Sequence, residues 1–324
     1  MTKRYIDVFN GDADGVCSLV QLRLANSQKS ELITGVKRDI NLLNRVQAEA
    51  GSYITVLDIS FEKNAVEVKR LLKQGSFIEY IDHHRAGELV KHKNLEYHLD
   101  LSASTCTSII VDKKLHGQFC EWAIVGAFGD NLSVVARQLA KKSNINEPDL
   151  GVLQQLGLYL NYNAYGETID DLFFDPAELF RKMVEFDSPL EFLAQDKVTF
   201  ITLASGYQED IQKAKVAPII YQGKNIAIIG LPNEKWSRRV SGVYSNTLAN
   251  SFPERAHAVL TEKDNGHYLV SVRAPLNRKY GADRLASQFP SGGGRKAAAG
   301  INDLPRDMLE KFIGLMEQEF SCPP

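Results

Sequence analysis

Residues 5–15, Tyr5-Ile6-Asp7-Val8-Phe9-Asn10-Gly11-Asp12-Ala13-Asp14-Gly15, decide the fold. The first five read as a β-strand, and a glycine-flanked acidic turn then leads straight into a helix-like stretch. The pattern recurs: YITVL at 53–57 precedes Asp58, and FIEYI at 77–81 precedes Asp82-His83-His84. Helical periodicity occupies 15–26, 62–74 and 104–115. Strands separated by helices predict a parallel, doubly wound sheet. Ligands of such sheets bind outside the carboxyl ends of the strands. Three strands therefore aim acidic or imidazole groups at one place.

Working outward, residues 137–196 read as helical, interrupted by an acidic stretch from Glu167 to Glu178. No flexible linker is visible, so this segment is expected to be a packed helical connector. A new alternation begins near 216, with hairpin signals at Gln222-Gly223 and Asn265-Gly266 and a closing helix over 305–320. The expected fold class is α/β. An N-terminal doubly wound, mainly parallel domain (1–136) is joined by the connector (137–196) to a smaller α+β domain (197–324), with the active site in the interdomain cleft.

A chain of 324 residues with 44% hydrophobic and 24% charged residues fits a globular protein of two domains. No stretch approaches the ~20 apolar residues of a membrane span. The start turns polar after nine residues, too soon for a signal peptide, which predicts a cytoplasmic protein. Cys17, Cys106, Cys120 and Cys322 are widely spaced, as reduced thiols are, rather than paired for disulfides or zinc. The formal charge of -2 excludes coating of long DNA by charge alone. It is an average: residues 137–196 sum to -6 and 197–324 to +5.

Asp12 and Asp14, two apart on a tight turn, could each face a divalent ion, although helix capping alone also accounts for a DxDG. Asp58 could likewise be an ordinary loop residue. Asp82-His83-His84 is a stronger signal, because a buried strand end seldom gathers three titratable groups unless a metal or substrate pairs them. Carboxylate oxygen with imidazole nitrogen suits Mn²⁺ or Mg²⁺. A fourth candidate is Asp130, at the end of Trp122-Ala-Ile-Val-Gly-Ala-Phe-Gly-Asp-Asn131, where Gly126 and Gly129 permit close approach. Capping is the alternative there too.

NGDADG at 10–15, VLDIS at 56–60, IDHH at 81–84 and GAFGD at 126–130 have the order and approximate spacing of the motifs of the DHH phosphoesterase superfamily, which the chain resembles. Ser291-Gly292-Gly293-Gly294-Arg295-Lys296-Ala297-Ala298-Ala299-Gly300 is similar to the GGGH-x-x-AAG signature of the domain that accompanies it in RecJ-like exonucleases and nanoRNases. The resemblance implies that Asp12 and Asp14 bind one metal each, Asp58 bridges them, and His83 and Asp130 each ligate one ion. Asp82 would orient the histidine motif, and His84 would sit near the scissile phosphate. The implied cofactor is Mn²⁺, two ions per site, with Mg²⁺ or Co²⁺ as substitutes. There are two departures. Asn10 stands upstream of the DxD pair where relatives place His or Asp, an oxygen donor without charge, and Arg295 replaces the signature histidine.

Gly292, Gly293 and Gly294 with Arg295 and Lys296 form a phosphate-binding candidate, and the small AAAG run after them would let a following helix pack closely. A glycine-rich surface turn is the plain alternative. Arg273, ending a strand, resembles the arginine that relatives direct at substrate phosphate. Arg238, Arg239, Arg278 and Lys279 read as solvated charge, and Ser104 and Thr105 are minor substrate contacts. The expected activity is Mn²⁺-dependent hydrolysis of short linear RNA or DNA by two-metal hydroxide attack. The substrates expected are dinucleotides such as pGpG, the linear product of cyclic di-GMP, and the products nucleoside 5'-monophosphates. The chain leaves no room for the extra OB-type domain of long-strand exonucleases, which favours short substrates. Alternatives are a RecJ-like single-strand exonuclease, a cyclic-dinucleotide phosphodiesterase, or a weakened nucleotide-binding regulator. A homodimer follows from the habit of such enzymes.

Overall fold

The computed structural model describes residues 3–321. They divide into two compact units, one running to Gly206 and the other starting at Tyr207. The first contains β1 (Tyr5–Phe9), α1 (Ala13–Ala25), β2 (Glu31–Ile33), β3 (Tyr53–Leu57), α2 (Phe61–Lys73), β4 (Phe77–Asp82) and β5 (Leu95–Leu99). Its strands pair in the order β2-β1-β3-β4-β5, every neighbour parallel. The doubly wound sheet is thus present. Its two edge strands escape sequence reading because β2 has three residues and β5 is half-buried along its length.

Alternate residues sort the faces. Ile6, Val8, Ile54, Val56, Ile78 and Tyr80 share a core with Phe61, Val68 and Leu71 of α2 and with Leu42 and Leu43 of a 3-10 turn. Phe9, Leu57 and Ile81 are also fully buried. On the face that carries Asp7 and Thr55, both bonded by Arg23 of α1, α1 packs on α3 (Thr107–Lys114) and α4 (Cys120–Gly129). Helix α4 is buried all round from Trp122 to Gly129, which removes the amphipathic periodicity that marks a surface helix. The expected helix 104–115 starts at Thr107, after a turn. Then follow α5 (Ser133–Lys142), α6 (Glu147–Asn163), α7 (Pro176–Met183) and α8 (Pro189–Gln195). The boundary between the units falls within α9 (Lys197–Lys215).

The second unit has a six-stranded sheet. Its elements are β6 (Ile219–Gln222), β7 (Ile226–Leu231), α10 (Lys235–Ser251), β8 (Ala256–Glu262), β9 (Tyr268–Arg273), α11 (Ala282–Ala286), β10 (Gly292–Arg295), β11 (Ala298–Leu304) and α12 (Leu309–Phe320). The order is β10-β11-β9-β8-β7-β6, and only β7 and β8 run parallel, joined by α10. Both expected hairpins form; Gly266 takes a φ of 75° that few other residues adopt readily. The expected loop before a helix at 291–300 is instead a hairpin, with Lys296 and Ala297 between paired strands. Two of its glycines serve close contact: a Cβ on Gly292 would lie 1.8 Å from the Ala286 carbonyl oxygen, and one on Gly294 2.5 Å from Ala299 Cα. Ala298 to Gly300 therefore continue a strand rather than seat a helix.

Cys17 and Cys106 are buried free thiols, Cys120 is partly buried and free, and Cys322 lies outside the described residues. Among the described residues no helix is long and apolar enough to cross a membrane.

Candidate active site

Asp12 is both helix cap and candidate ligand. Its Oδ1 accepts the backbone N–H groups of Asp14 and Gly15, each at 3.1 Å, which starts α1. Its Oδ2 lies 2.5 Å from Lys37 Nζ. The bend that allows this depends on glycine, since a Cβ at Gly11 would sit 2.0 Å from the Gly35 carbonyl and one at Gly15 2.2 Å from that of Asn10. Asp14, two residues on, faces the start of α3. Its two oxygens accept the N–H groups of Thr107 (2.7 Å) and Ser108 (2.8 Å), so the positive end of that helix holds a carboxylate supplied by another element.

Asp58 follows β3 with φ 58°, the left-handed region that costs most residues energy but Asn and Asp least. Its Oδ1 accepts from Thr107 Oγ1 at 3.1 Å and lies 3.4 Å from His83 Nε2 and 3.8 Å from His84 Nδ1. At the end of β4, Asp82 is wholly buried; its Oδ1 is 2.6 Å from His84 Nδ1, and its Oδ2 has no hydrogen-bond partner. His83 Nε2 also lies 3.8 Å from Asp130 and 3.9 Å from Asp14. Asp130 closes α4, where Gly126 approaches so tightly that a Cβ would meet Ser108 Oγ at 2.3 Å.

Four separated segments thus bring Asp12, Asp14, Asp58, Asp82, His83, His84 and Asp130 together. A small cavity of about 110 Å³ touches Asn10, Asp12, Lys37, Asp58, His84 and Asp130. Burial, compounded by Asp12, Asp14, Asp82 and Asp130, pushes the Asp58 carboxyl well above the usual range. Burial and then Asp14 push Asp130 up to about 6. The hydrogen bond to Asp82 raises His84. Burial works against the Asp12 charge, but the Lys37 ammonium outweighs it and holds that carboxyl below its ordinary value. So many buried carboxylates, with the unpartnered Asp82 oxygen among them, call for added positive charge. The donor set fits a divalent cation, and Asp58, His83 and His84 offer ligand atoms within 4.8 Å of one another.

Several neighbours were not legible in the sequence. Lys37 bonds Asn161 Oδ1 of α6 at 2.8 Å as well as Asp12, and its place in TGVKRD carries no motif signal. Thr107 and Ser108 contact the carboxylates, whereas Ser104 in the same hydroxyl-rich run is exposed and Thr105 Oγ1 is buried without a hydrogen-bond partner. The Asn10 amide is engaged locally: Oδ1 accepts from Asp12 N at 3.2 Å, and Nδ2 donates to the Lys37 carbonyl at 3.3 Å.

In the second unit, Arg273 ends β9 and donates to Asn246 Oδ1 at 2.7 Å and Ser271 Oγ at 3.1 Å. The ladder sets His257 opposite Arg273, Arg273 opposite Ala298, and Ala298 opposite Arg295. Gly293, Gly294, Arg295 and Lys296 are exposed, and Gly292 is half-buried. The solvated reading of Arg239 needs correction, because its guanidinium is buried in a two-bond pair with Asp210 at 2.7 and 3.0 Å. Burying a guanidinium is costly unless such a partner offsets its charge.

No protein-family model matches the chain, and no curated protein matches it. Solved structures do. An exonuclease RecJ bound to manganese matches with a TM-score of 0.61 at 17% identity, covering 99% of this chain and 91% of that one. A DHH domain from a protein described as a member of a ribosomal-protein family matches at 0.60 and 13% identity, over 98% and 86% of the two chains. A pGpG-specific phosphodiesterase, PggH of Vibrio cholerae, matches at 0.57 and 13% identity, over 98% and 99%. The chain has the two-domain fold of these RecJ and DHH structures.

Proposed function

We propose that the protein is a metal-dependent phosphodiesterase that hydrolyses short linear oligonucleotides, dinucleotides such as pGpG among them, to nucleoside 5'-monophosphates, with Mn²⁺ as its cation. The observation that carries this reading is the convergence of five carboxylates and two imidazoles at the carboxyl ends of β1, β3 and β4 and the end of α4. Their mutual repulsion is useful only if a cation offsets it. Asp14, Asp58, His83 and Asp130 would hold the cation, with Asp12 beside them. When bound, divalent ions activate water and neutralise phosphate charge. The RecJ structure with manganese and the pGpG-specific phosphodiesterase support the choice of ion and substrate.

The chain's own residues supply the rest. Asp82 binds His84 Nδ1 and favours its protonated form, which leaves Nε2 to give a proton to the leaving oxygen. Arg273, held by Asn246 and Ser271, and Arg295 with Lys296 on the hairpin bind substrate phosphate. Ser104, exposed beside the Thr107 helix start, remains a candidate contact.

The test is a ladder of 5'-labelled RNAs from two to about twenty nucleotides with Mn²⁺, using Asp82→Ala/His83→Ala as the inactive control. Cleavage is expected to be fastest on the dinucleotide. Equal rates at every length would replace the reading with a RecJ-like exonuclease. Cleavage of cyclic di-GMP alone would replace it with a cyclic-dinucleotide phosphodiesterase. No hydrolysis with any metal would leave a nucleotide-binding regulator.

A further inference from the structure

We propose that the Lys37 ammonium stands in for one of the two cations that the family resemblance implies, so that this centre takes a single divalent ion on its Asp58–His83–Asp130 side. The inference rests on the reading of this cluster as a metal centre. Lys37 is fixed at both ends. Its backbone N–H donates to the Ala164 carbonyl at 2.9 Å, and its carbonyl accepts from Asn10 Nδ2. Its ammonium is held between Asp12 Oδ2 at 2.5 Å and Asn161 Oδ1 at 2.8 Å.

The Asp12 side is already compensated. One Asp12 oxygen receives two N–H groups from the start of α1, and the other receives Lys37. Asn10, where a charged or imidazole ligand would strengthen a metal site, has its oxygen on a backbone N–H. A second divalent ion there would have to displace a fixed positive charge or sit against it. The opposite side differs. His83 Nε2 lies 3.4 to 3.9 Å from Asp58, Asp130 and Asp14 with no ammonium or guanidinium ion-paired to those three among the described residues, and the buried Asp82 Oδ2 is unpartnered. An ammonium can neutralise phosphate charge but cannot lower the pKa of water as a metal does. The division of labour follows: the ion side prepares the nucleophile, and Lys37 binds a phosphate oxygen.

The full chain is titrated with Mn²⁺ while electron paramagnetic resonance counts free ion, and the bound spectrum is then recorded at low temperature. One ion per chain with an isolated-Mn²⁺ spectrum is expected for the wild type. Lys37→Ala is expected to take up a second ion and to show a spin-coupled pair. Two ions with a coupled spectrum in the wild type would overturn the proposal, as would one ion in both proteins. If Lys37→Ala does not fold, Lys37→Met removes the charge at similar bulk and takes its place in the comparison. Dinucleotide hydrolysis is scored separately on the same samples. One bound ion without hydrolysis upholds the inference and ends the functional reading, two ions with hydrolysis do the reverse, and no bound ion ends both.

Discussion

Asp58 combines an uncommon backbone conformation, near-complete burial and four acidic neighbours. Replacing it with Asn keeps the residue type that best tolerates φ 58° and removes the repulsion. Asp58→Asn in EDTA is therefore expected to melt a few degrees above wild type, each kcal/mol of relieved repulsion being worth roughly 2–4 °C in a unit of this size, and to lose Mn²⁺-dependent hydrolysis. A lower melting temperature would show that repulsion does not govern this position, since Asn Oδ1 can still accept from Thr107 Oγ1. Asp130 adds a pH dependence. Its folded value near 6 lies above that of an unfolded carboxyl, about 4. Below about pH 4 both states hold the proton and the group costs nothing. Between about 4 and 6 only the folded state keeps it, so stability falls as pH rises, and above 6 the cost is complete. A cation binds the ionised form and cancels that cost. The Mn²⁺-induced rise in melting temperature should be small at about pH 5 and large at about pH 7.5, and calorimetry with and without EDTA reads it.

At the scale of elements, α3 acts on the site through its first two amides. Cys106, just before it, is extended at φ -143° and ψ 172°, a conformation compatible with a following proline. Proline is also well tolerated at the first helical position. Thr107→Pro should leave the far-ultraviolet circular dichroism unchanged while deleting the N–H to Asp14 and the hydroxyl to Asp58. Loss of such outer contacts weakens metal sites by about 10- to 100-fold, which Mn²⁺ titration of the variant measures. An unchanged affinity would reduce α3 to packing. Sequence reading reached this helix but did not single out Thr107 and Ser108, because hydroxyls in a row show the chain entering a helix without showing which turn faces the carboxylates.

At the scale of the molecule, the net positive charge of residues 197–324 is what the proposed short, phosphate-rich substrate would meet. If Arg273, Arg295 and Lys296 engage only one or two phosphates, KM for a dinucleotide should rise about 3- to 7-fold between roughly 50 and 200 mM salt. A rise of several hundred-fold would indicate a long binding track. The sequence by itself determined the parallel sheet, because strand and helix periods alternate along it, and the placement of Asp12, Asp58 and His83 at strand ends follows from that order. It could not show that α4 is a helix, since a fully buried helix has no polar face to mark its period. Nor could it show Lys37, Asn161, Thr107 and Ser108 at the carboxylates. Those contacts join residues tens of positions apart, and only packing of α1 on α3 and α4 and the return of α6 bring them together. Local periodicity is written in neighbours along the chain, whereas the compensation of buried charge is decided by whichever groups the core finally encloses.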